Sequence, residues 1–459
     1  MTTADSSFVS ELINICGDKH VLTEAGDCWA YGYDNSRIHR TPMAVALPAD
    51  EAEVSKLISV CRQHKIPVTC RGRGTNTAGG SVPQEHGITI STEHLNRIIE
   101  YRPHDRYIRV QPGVTNGEVQ TAVAKHGLFW APDPTSAEVC SIGGNLAMNA
   151  AGPRAVKYGS TRNHVLGVRA VTGNGDILAT GVVTSKGVVG YDLTRLLIGS
   201  EGTLAIITEA TLQLLPCAES QTTIRLLYRD IDSATQAVSA VMCQPVIPSG
   251  LEFMDAASLA IVKEHANASF PADTQALLMI EVEGQADRIA EDAQQIIHAA
   301  TNAGLIEHRQ ARNQDEAASL WSMRKALSPS LRKIAPNKIN EDVVVPVSRI
   351  PELIDGLTRI SERYAIPIVN FGHAGNGNIH VNLLFDSQDA AQLNNAAPCL
   401  DAVFDLVLKL DGTLSGEHGI GEVKRDYVGR ELQDTALELM HAIKQQFDPA
   451  GILNPGKAF

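Results

Sequence analysis

The sequence of 459 residues has no run of about 18 or more consecutive apolar residues, so no ordinary membrane-spanning helix is expected. Its opening stretch, MTTADSSFVSELINICGDKH, lacks a basic region followed by an apolar one, and no secretory signal is expected from it. Positive charge is in deficit. Lys and Arg number 39 against 52 Asp and Glu, a net charge of −13. Proteins that grip a nucleic-acid backbone carry a basic face, so nucleic acid is disfavoured as a partner, though a local basic pocket for a small anion is not. The cysteines, Cys16, Cys28, Cys61, Cys70, Cys140, Cys217, Cys243 and Cys399, form no C-x-x-C pair, which argues against zinc ribbons and iron–sulfur clusters. They read as reduced, mostly buried thiols of a cytoplasmic protein. Internal repeats and low-complexity runs are absent too.

What is present is a balanced composition, 44% hydrophobic and 20% charged, over a length suited to about two or three domains. Asp50, Glu51, Glu53, Leu57, Ile58 and Cys61 predict a capped amphipathic helix. Strands are predicted at 67–70, 88–91 and 107–111, a helix at 116–126, and a β-hairpin at 165–180 around Gly173-Asn174-Gly175-Asp176. After about residue 222 glycine thins out and strands alternate with helices. Strands near 223–228, 277–283 and 342–346 and helices near 232–242, 286–303 and 316–332 predict a separate α+β domain, an antiparallel sheet with helices on one face.

Three glycine clusters carry chemistry. The first, Arg71-Gly72-Arg73-Gly74-Thr75-Asn76-Thr77-Ala78-Gly79-Gly80, follows a predicted strand. Such a loop can turn several backbone N–H groups into a concave nest for phosphate or pyrophosphate, and glycine permits the close approach. Arg71 and Arg73 could add charge. The dinucleotide fingerprint G-x-G-x-x-G fails, because Thr77 stands at its third glycine. The second cluster holds Pro134, Thr135, Ser141, Gly143, Gly144 and Asn145, and the third runs Gly199-Ser200-Glu201-Gly202 to Ile207. In this order and spacing, residues 38–217 resemble the FAD-binding domain of the vanillyl-alcohol oxidase superfamily. The resemblance implies that Arg71, Gly72, Arg73, Gly74, Thr75, Asn76, Gly79 and Gly80 cradle the FAD pyrophosphate. It implies that Pro134, Thr135, Ser141, Gly144, Asn145 and Ile207 line the rest of the flavin. Arg73 and Asn76 stand where relatives often have glycine, and Asn is the residue that best tolerates left-handed backbone. No His or Cys matches a covalent flavin link, so non-covalent FAD is implied.

Downstream, Val369 to Leu384 reads as strand, Gly/Asn turn and strand, with His373 at the turn. On the second strand Ile379, Val381 and Leu383 share one face, and His380, Asn382 and Leu384 the other. Leu414-Ser415-Gly416-Glu417-His418-Gly419 follows. Any one of these histidines alone would read as a hydrogen-bonded core residue. Together, His373, His380 and Glu417 make a divalent-metal donor set. A metal-dependent hydrolase is the rival reading, and the upstream flavin segments argue against it.

The same segments resemble the D-lactate, glycolate and D-2-hydroxyglutarate dehydrogenase branch of that superfamily. The resemblance implies FAD-dependent oxidation of a D-2-hydroxy acid, with D-lactate preferred, D-2-hydroxyglutarate next and glycolate third. It implies zinc or manganese on His373, His380 and Glu417, with His418 as general base. Arg324, Lys338, Asn382 and His373 would contact the substrate. Asn454, in the tail I-L-N-P-G-K, would return near the flavin. The implied order is an N-terminal helical segment (1–37), a FAD domain (38–217), a cap domain (218–425) and a tail (426–459) rejoining the FAD domain. The electron acceptor would be external: a quinone, a cytochrome or an electron-transfer flavoprotein. Homodimer formation and a peripheral membrane location stay open, as does a flavoprotein subunit that only relays electrons.

Overall fold

Helix Glu51–His64 begins where the Asp50 carboxylate accepts the Glu53 N–H at 2.9 Å, and it ends on Lys65 in left-handed backbone at φ 54°. Helix Asn116–Ala124 begins in a capping box of Thr115 and Glu118. Helix Ile142–Met148 begins at Ser141, whose hydroxyl accepts the Gly144 N–H at 3.3 Å. In each case a short polar side chain satisfies a backbone donor that the helix cannot. These features belong to a computed structural model that describes residues 6–265 and 269–459.

The chain divides into two units, each α+β. The first comprises residues up to Gly152, Gly159–Cys217 and Glu417–Phe459; the second comprises Pro153–Tyr158 and Ala218–Gly416. The expected boundary near 425 thus falls at Gly416, and Glu417 and His418 go with the first unit. The segment before residue 38 is not separate. Phe8, Leu12 and Cys16 share a buried core with Val54, Leu57, Ile58 and Cys61 of helix Glu51–His64.

The first unit holds two main sheets. In one, strands Ala44–Ala46 and Val68–Arg71 flank Ile88–Ser91 in parallel. The other is antiparallel, in the order Ile98–Arg102, Tyr107–Val110, Ala205–Gln213, Val165–Thr172, Ile177–Gly181, and contains the predicted hairpin. All eight cysteines of the chain are free, and burial pushes the Cys61 thiol up to about 12.

The second unit is built on seven antiparallel strands, in the order Leu305–Gln310, Ser220–Tyr228, Ala276–Gly284, Gly250–Asp255, Ile368–His373, Asn378–Phe385, Asn337–Val344. Its helices lie on both faces rather than on one. Leu320, Leu327 and Leu331 pack with Leu227, Met254, Met279 and Phe371 on one face. On the other, Tyr228 donates to the carbonyl of Ala300, at the end of helix Ile289–Ala300, at 2.7 Å. A helix stripe records that a face is buried, not which side of a sheet buries it.

The tail is tied into the first unit by buried charge. Lys457 Nζ donates to the carbonyls of Gly79 (2.7 Å) and Val82 (2.9 Å) and to Glu422 (2.9 Å), which also binds Arg40. Arg40 first, then Lys457, hold the Glu422 carboxyl down at about 2 against an ordinary 4.5, outweighing its partial burial. A depressed carboxylate stabilises the fold above its unfolded pKa and loses that contribution as pH falls toward its folded pKa. Glu422→Gln is expected to cost about 1–3 kcal/mol at neutral pH. Calorimetric midpoints of wild type and variant should differ above about pH 5 and converge toward about pH 2.

Candidate active site

In the first unit, strand Val68–Arg71 delivers the glycine loop. A Cβ on Gly72 would lie 2.2 Å from Ser141 Oγ, so loop and helix start touch with only a hydrogen between them. Gly74 has φ 64°, and a Cβ there would strike the Arg71 guanidinium. Asn76 closes the loop: its Oδ1 accepts the Ala78 and Gly80 N–H groups, both at 2.9 Å. Its Nδ2 donates to the backbone carbonyl of His418 at 3.0 Å.

The two arginines behave differently from each other. Arg71 is buried, donates to the carbonyls of Tyr33 (2.5 Å) and Ala30 (3.3 Å), and lies against the rings of Tyr31 and Tyr33. Its charge pins the loop from behind, whereas Arg73 is exposed. Asn145 is likewise turned inward, with partners in Cys140 Sγ (3.2 Å) and Asn116 (3.4 Å). Gly79, Gly80 and Ile207 are buried, Thr75, Pro134 and Gly144 half-buried, and Thr135 exposed. Asn454, at φ 42°, donates to the carbonyls of Gly80 (2.9 Å) and Glu201 (2.7 Å).

His418 sits on a loop held at two points. Besides Asn76, the buried Glu201 carboxylate accepts the N–H groups of Ile420 (2.8 Å) and Gly421 (2.7 Å). Burial pushes the Glu201 carboxyl up, against the two N–H groups that pull it down. Glu417 and His418 are themselves half-buried.

In the second unit, strand register puts Glu252, Phe371, His373, His380, Asn382, Lys338, Asn340 and Asp342 on one face of the sheet. The rings of His373 and His380 stand edge to face, centroids 5.1 Å apart. The fully buried Glu252 takes His373 Nδ1 on one oxygen and Arg324 Nε, at 2.6 Å, on the other. Burial alone would raise the Glu252 carboxyl, but His373 and Arg324 hold it well below the usual carboxylate range. Arg324 also covers the Phe371 ring, 4.5 Å from its centroid, and Phe371 neighbours His380 at 5.7 Å.

Arg324, His373 and His380 are therefore brought together. Asn382 is fully buried, its amide engaged with Asn340 (2.7 Å) and with the carbonyls of Val369 and His380 (both 3.1 Å). Lys338 pairs with Leu384 on the neighbouring strand. Asp342, opposite His380, accepts the Gly416 N–H at 3.0 Å and the Ser415 hydroxyl at 3.1 Å, fixing the end of the unit just before Glu417. Glu252, Asp342 and Glu201 are absent from the sequence-based candidates. The signal for Glu252 is an acid inside an apolar strand, Leu251-Glu252-Phe253, and that for Glu201 is its place in the third glycine cluster.

The glycine loop fits a bound pyrophosphate, and the cap sheet brings together two of the three implied metal donors. Gly72 lets the loop seat directly on the start of helix Ile142–Met148, and Gly74 and Gly79 take positive φ, the kind of backbone geometry from which anion nests are built. With a carboxylate on His373 Nδ1, Nε2 is the nitrogen that could coordinate a metal, an arrangement common behind metal-binding histidines. Among the described residues, no three His, Cys, Asp or Glu side chains are gathered as a metal site; the two histidines are adjacent, and Glu417 belongs to the other unit.

Comparisons with known proteins agree on the class. A family described as "FAD binding domain" matches residues 42–181, and one described as "FAD linked oxidases, C-terminal domain" matches 217–458. The glycolate oxidase subunit GlcD of Bacillus subtilis (strain 168) is 36% identical over 98% of this chain and 96% of its own length. A D-2-hydroxyglutarate dehydrogenase of Stutzerimonas stutzeri (strain A1501) is 32% identical over 99% of each chain. A D-lactate dehydrogenase of Archaeoglobus fulgidus is 34% identical over 93% of this chain and 95% of its own. The crystal structure of p-cresol methylhydroxylase with substrate bound shares the fold at a TM-score of 0.76, with 17% identity over 98% of this chain and 96% of that one. Fold and matched domains define a flavin-dependent oxidoreductase. The chain belongs to the FAD-linked oxidase family of the vanillyl-alcohol oxidase superfamily, in the branch of those three relatives.

Gly72→Ala is expected to give a folded protein that purifies with a weakened yellow flavin band, because its methyl displaces Ser141 from Gly144 and pushes the glycine loop off the helix start. Absorbance together with circular dichroism separates that result from unfolding.

Proposed function

We propose that this protein oxidises a small D-2-hydroxy acid to the 2-oxo acid, using non-covalent FAD and a divalent metal, zinc or manganese. The observation that carries the reading is the cluster of Arg324, His373 and His380 on one face of the cap sheet. A cation shaped for bidentate carboxylate contact stands beside two nitrogen donors, which suits a carboxylate with an adjacent hydroxyl. Glycolate, third in the sequence reading, moves level with D-lactate because the 36% relative carries that name. D-2-hydroxyglutarate follows, with Lys338 as the added cation for its distal carboxylate.

Bound FAD would supply the hydride acceptor, and a metal held by His373, His380 and Glu417 would supply the Lewis acid for the hydroxyl. The chain's own residues do the rest. Arg324 pairs the substrate carboxylate and orients the Cα–H. His418 receives the hydroxyl proton on a ring nitrogen, as a general base must within hydrogen-bond reach. Asn76 and Glu201 fix the loop that carries His418, so the base is placed by the flavin-binding unit itself. Electrons leave to an external acceptor, a quinone, a cytochrome or an electron-transfer flavoprotein. The Bacillus relative's name as a subunit supports an acceptor reached through partner proteins, and equally a second reading of this chain as a relay subunit without substrate chemistry.

The test is anaerobic mixing of the yellow protein with D-lactate, L-lactate, glycolate and D-2-hydroxyglutarate. The flavin band is expected to bleach with D-lactate or glycolate and to persist with L-lactate; no bleaching by any acid would favour the relay reading. His418→Ala should retain FAD and bleach at least about a hundredfold more slowly. A normal rate in that variant removes His418 from the role of base.

A further inference from the structure

The Glu252 carboxylate has no place in the chemistry above, yet it is among the most enclosed acids of the second unit, with its side chain 1% exposed. An unpaired carboxylate at such a depth is costly, so its partners account for its presence. One oxygen meets the Nδ1 of His373, from strand Ile368–His373. The other meets the Nε of Arg324 at 2.6 Å, from helix Gln314–Ser330. Two elements far apart in the chain are thus joined through one carboxylate on a third, strand Gly250–Asp255.

We infer that Glu252 is the positioning residue that ties the metal-binding histidine to the substrate-binding arginine, so that neither is set independently of the other. The inference rests on the roles proposed above for His373 and Arg324. By accepting the Nδ1 proton, Glu252 fixes the His373 tautomer and aims Nε2 outward. By accepting Nε–H, it fixes the plane of the guanidinium, which is backed by the Phe371 ring. Because Phe371 also lies against His380, a displaced Arg324 disturbs the second histidine as well. An amide cannot replace the carboxylate at both contacts. Its oxygen can accept from one partner, but its NH2 group then faces the N–H of the other.

The test uses the FAD-loaded protein stripped of metal with a chelator and titrated with Zn²⁺ against a chromogenic competitor. Glu252→Gln is expected to bind Zn²⁺ about 10–100-fold more weakly. At saturating Zn²⁺ its KM for D-lactate or glycolate should rise several-fold more than its kcat falls, because Arg324 stays misaligned. Glu252→Asp, which keeps both acceptors on a shorter stem, should recover a good part of both losses. A residue that only filled space would show neither the split between KM and kcat nor the rescue. Wild type that binds Zn²⁺ alongside a Glu252→Gln variant with the same affinity and KM overturns this inference alone. Wild type that binds no Zn²⁺ overturns the metal assignment and this inference with it.

Discussion

A single side-chain amide, that of Asn76, holds the two halves of the flavin unit's chemistry together. Its oxygen gathers the N–H groups of Ala78 and Gly80, and its nitrogen holds the carbonyl of His418, 342 residues later in the chain. Glycine at this position could follow the backbone but could make none of these bonds. Glu201 and Asn454 extend the same network: Asn454 joins the Gly80 and Glu201 carbonyls, and Glu201 joins the loop after His418. The glycine loop, the third glycine cluster and the C-terminal tail are therefore one hydrogen-bonded assembly, and the base of the proposed reaction is part of it.

Charge is used in this fold more for bracing than for display. Arg71 is buried beneath the loop it begins, Lys457 is enclosed by carbonyls, and Glu252 is enclosed by Arg324 and His373. Buried ions add little net stability against apolar replacements, but each is strongly destabilising to break once its partner is fixed. Such contacts specify which loop meets which, an exactness of placement that a flavoenzyme needs where a proton and a hydride leave neighbouring atoms.

What was legible in the sequence follows from local physics. The glycine loop, the hairpin of Val165–Thr172 with Ile177–Gly181, and the hairpin carrying His373 and His380 are set by turn chemistry and period-two patterning, and the structure has them where expected. The matched FAD-binding domain accords with the resemblance read from the three glycine clusters. The partners were not legible. That Glu252 reaches Arg324 and His373, or that Glu201 meets Ile420, depends on pairings across 72, 121 and 219 residues, which no short window records. The partners of Arg71, Ala30 and Tyr33, were not legible either, because a strand and a helix separate them from it in the chain. The boundary at Gly416 rather than near 425 escaped because the glycine-rich run across it has no change of composition.

The central claim is that the histidines and the arginine of the cap sheet hold the hydroxy acid through a metal while the flavin unit takes its hydride. The most direct measurement is anaerobic flavin reduction by the active acid before chelation, after chelation, and after adding back Zn²⁺ or Mn²⁺, with metal content followed by elemental analysis. The account predicts that bleaching disappears in the metal-free protein while FAD stays bound, and returns with one equivalent of metal. Full-rate bleaching by protein shown to be metal-free would contradict it.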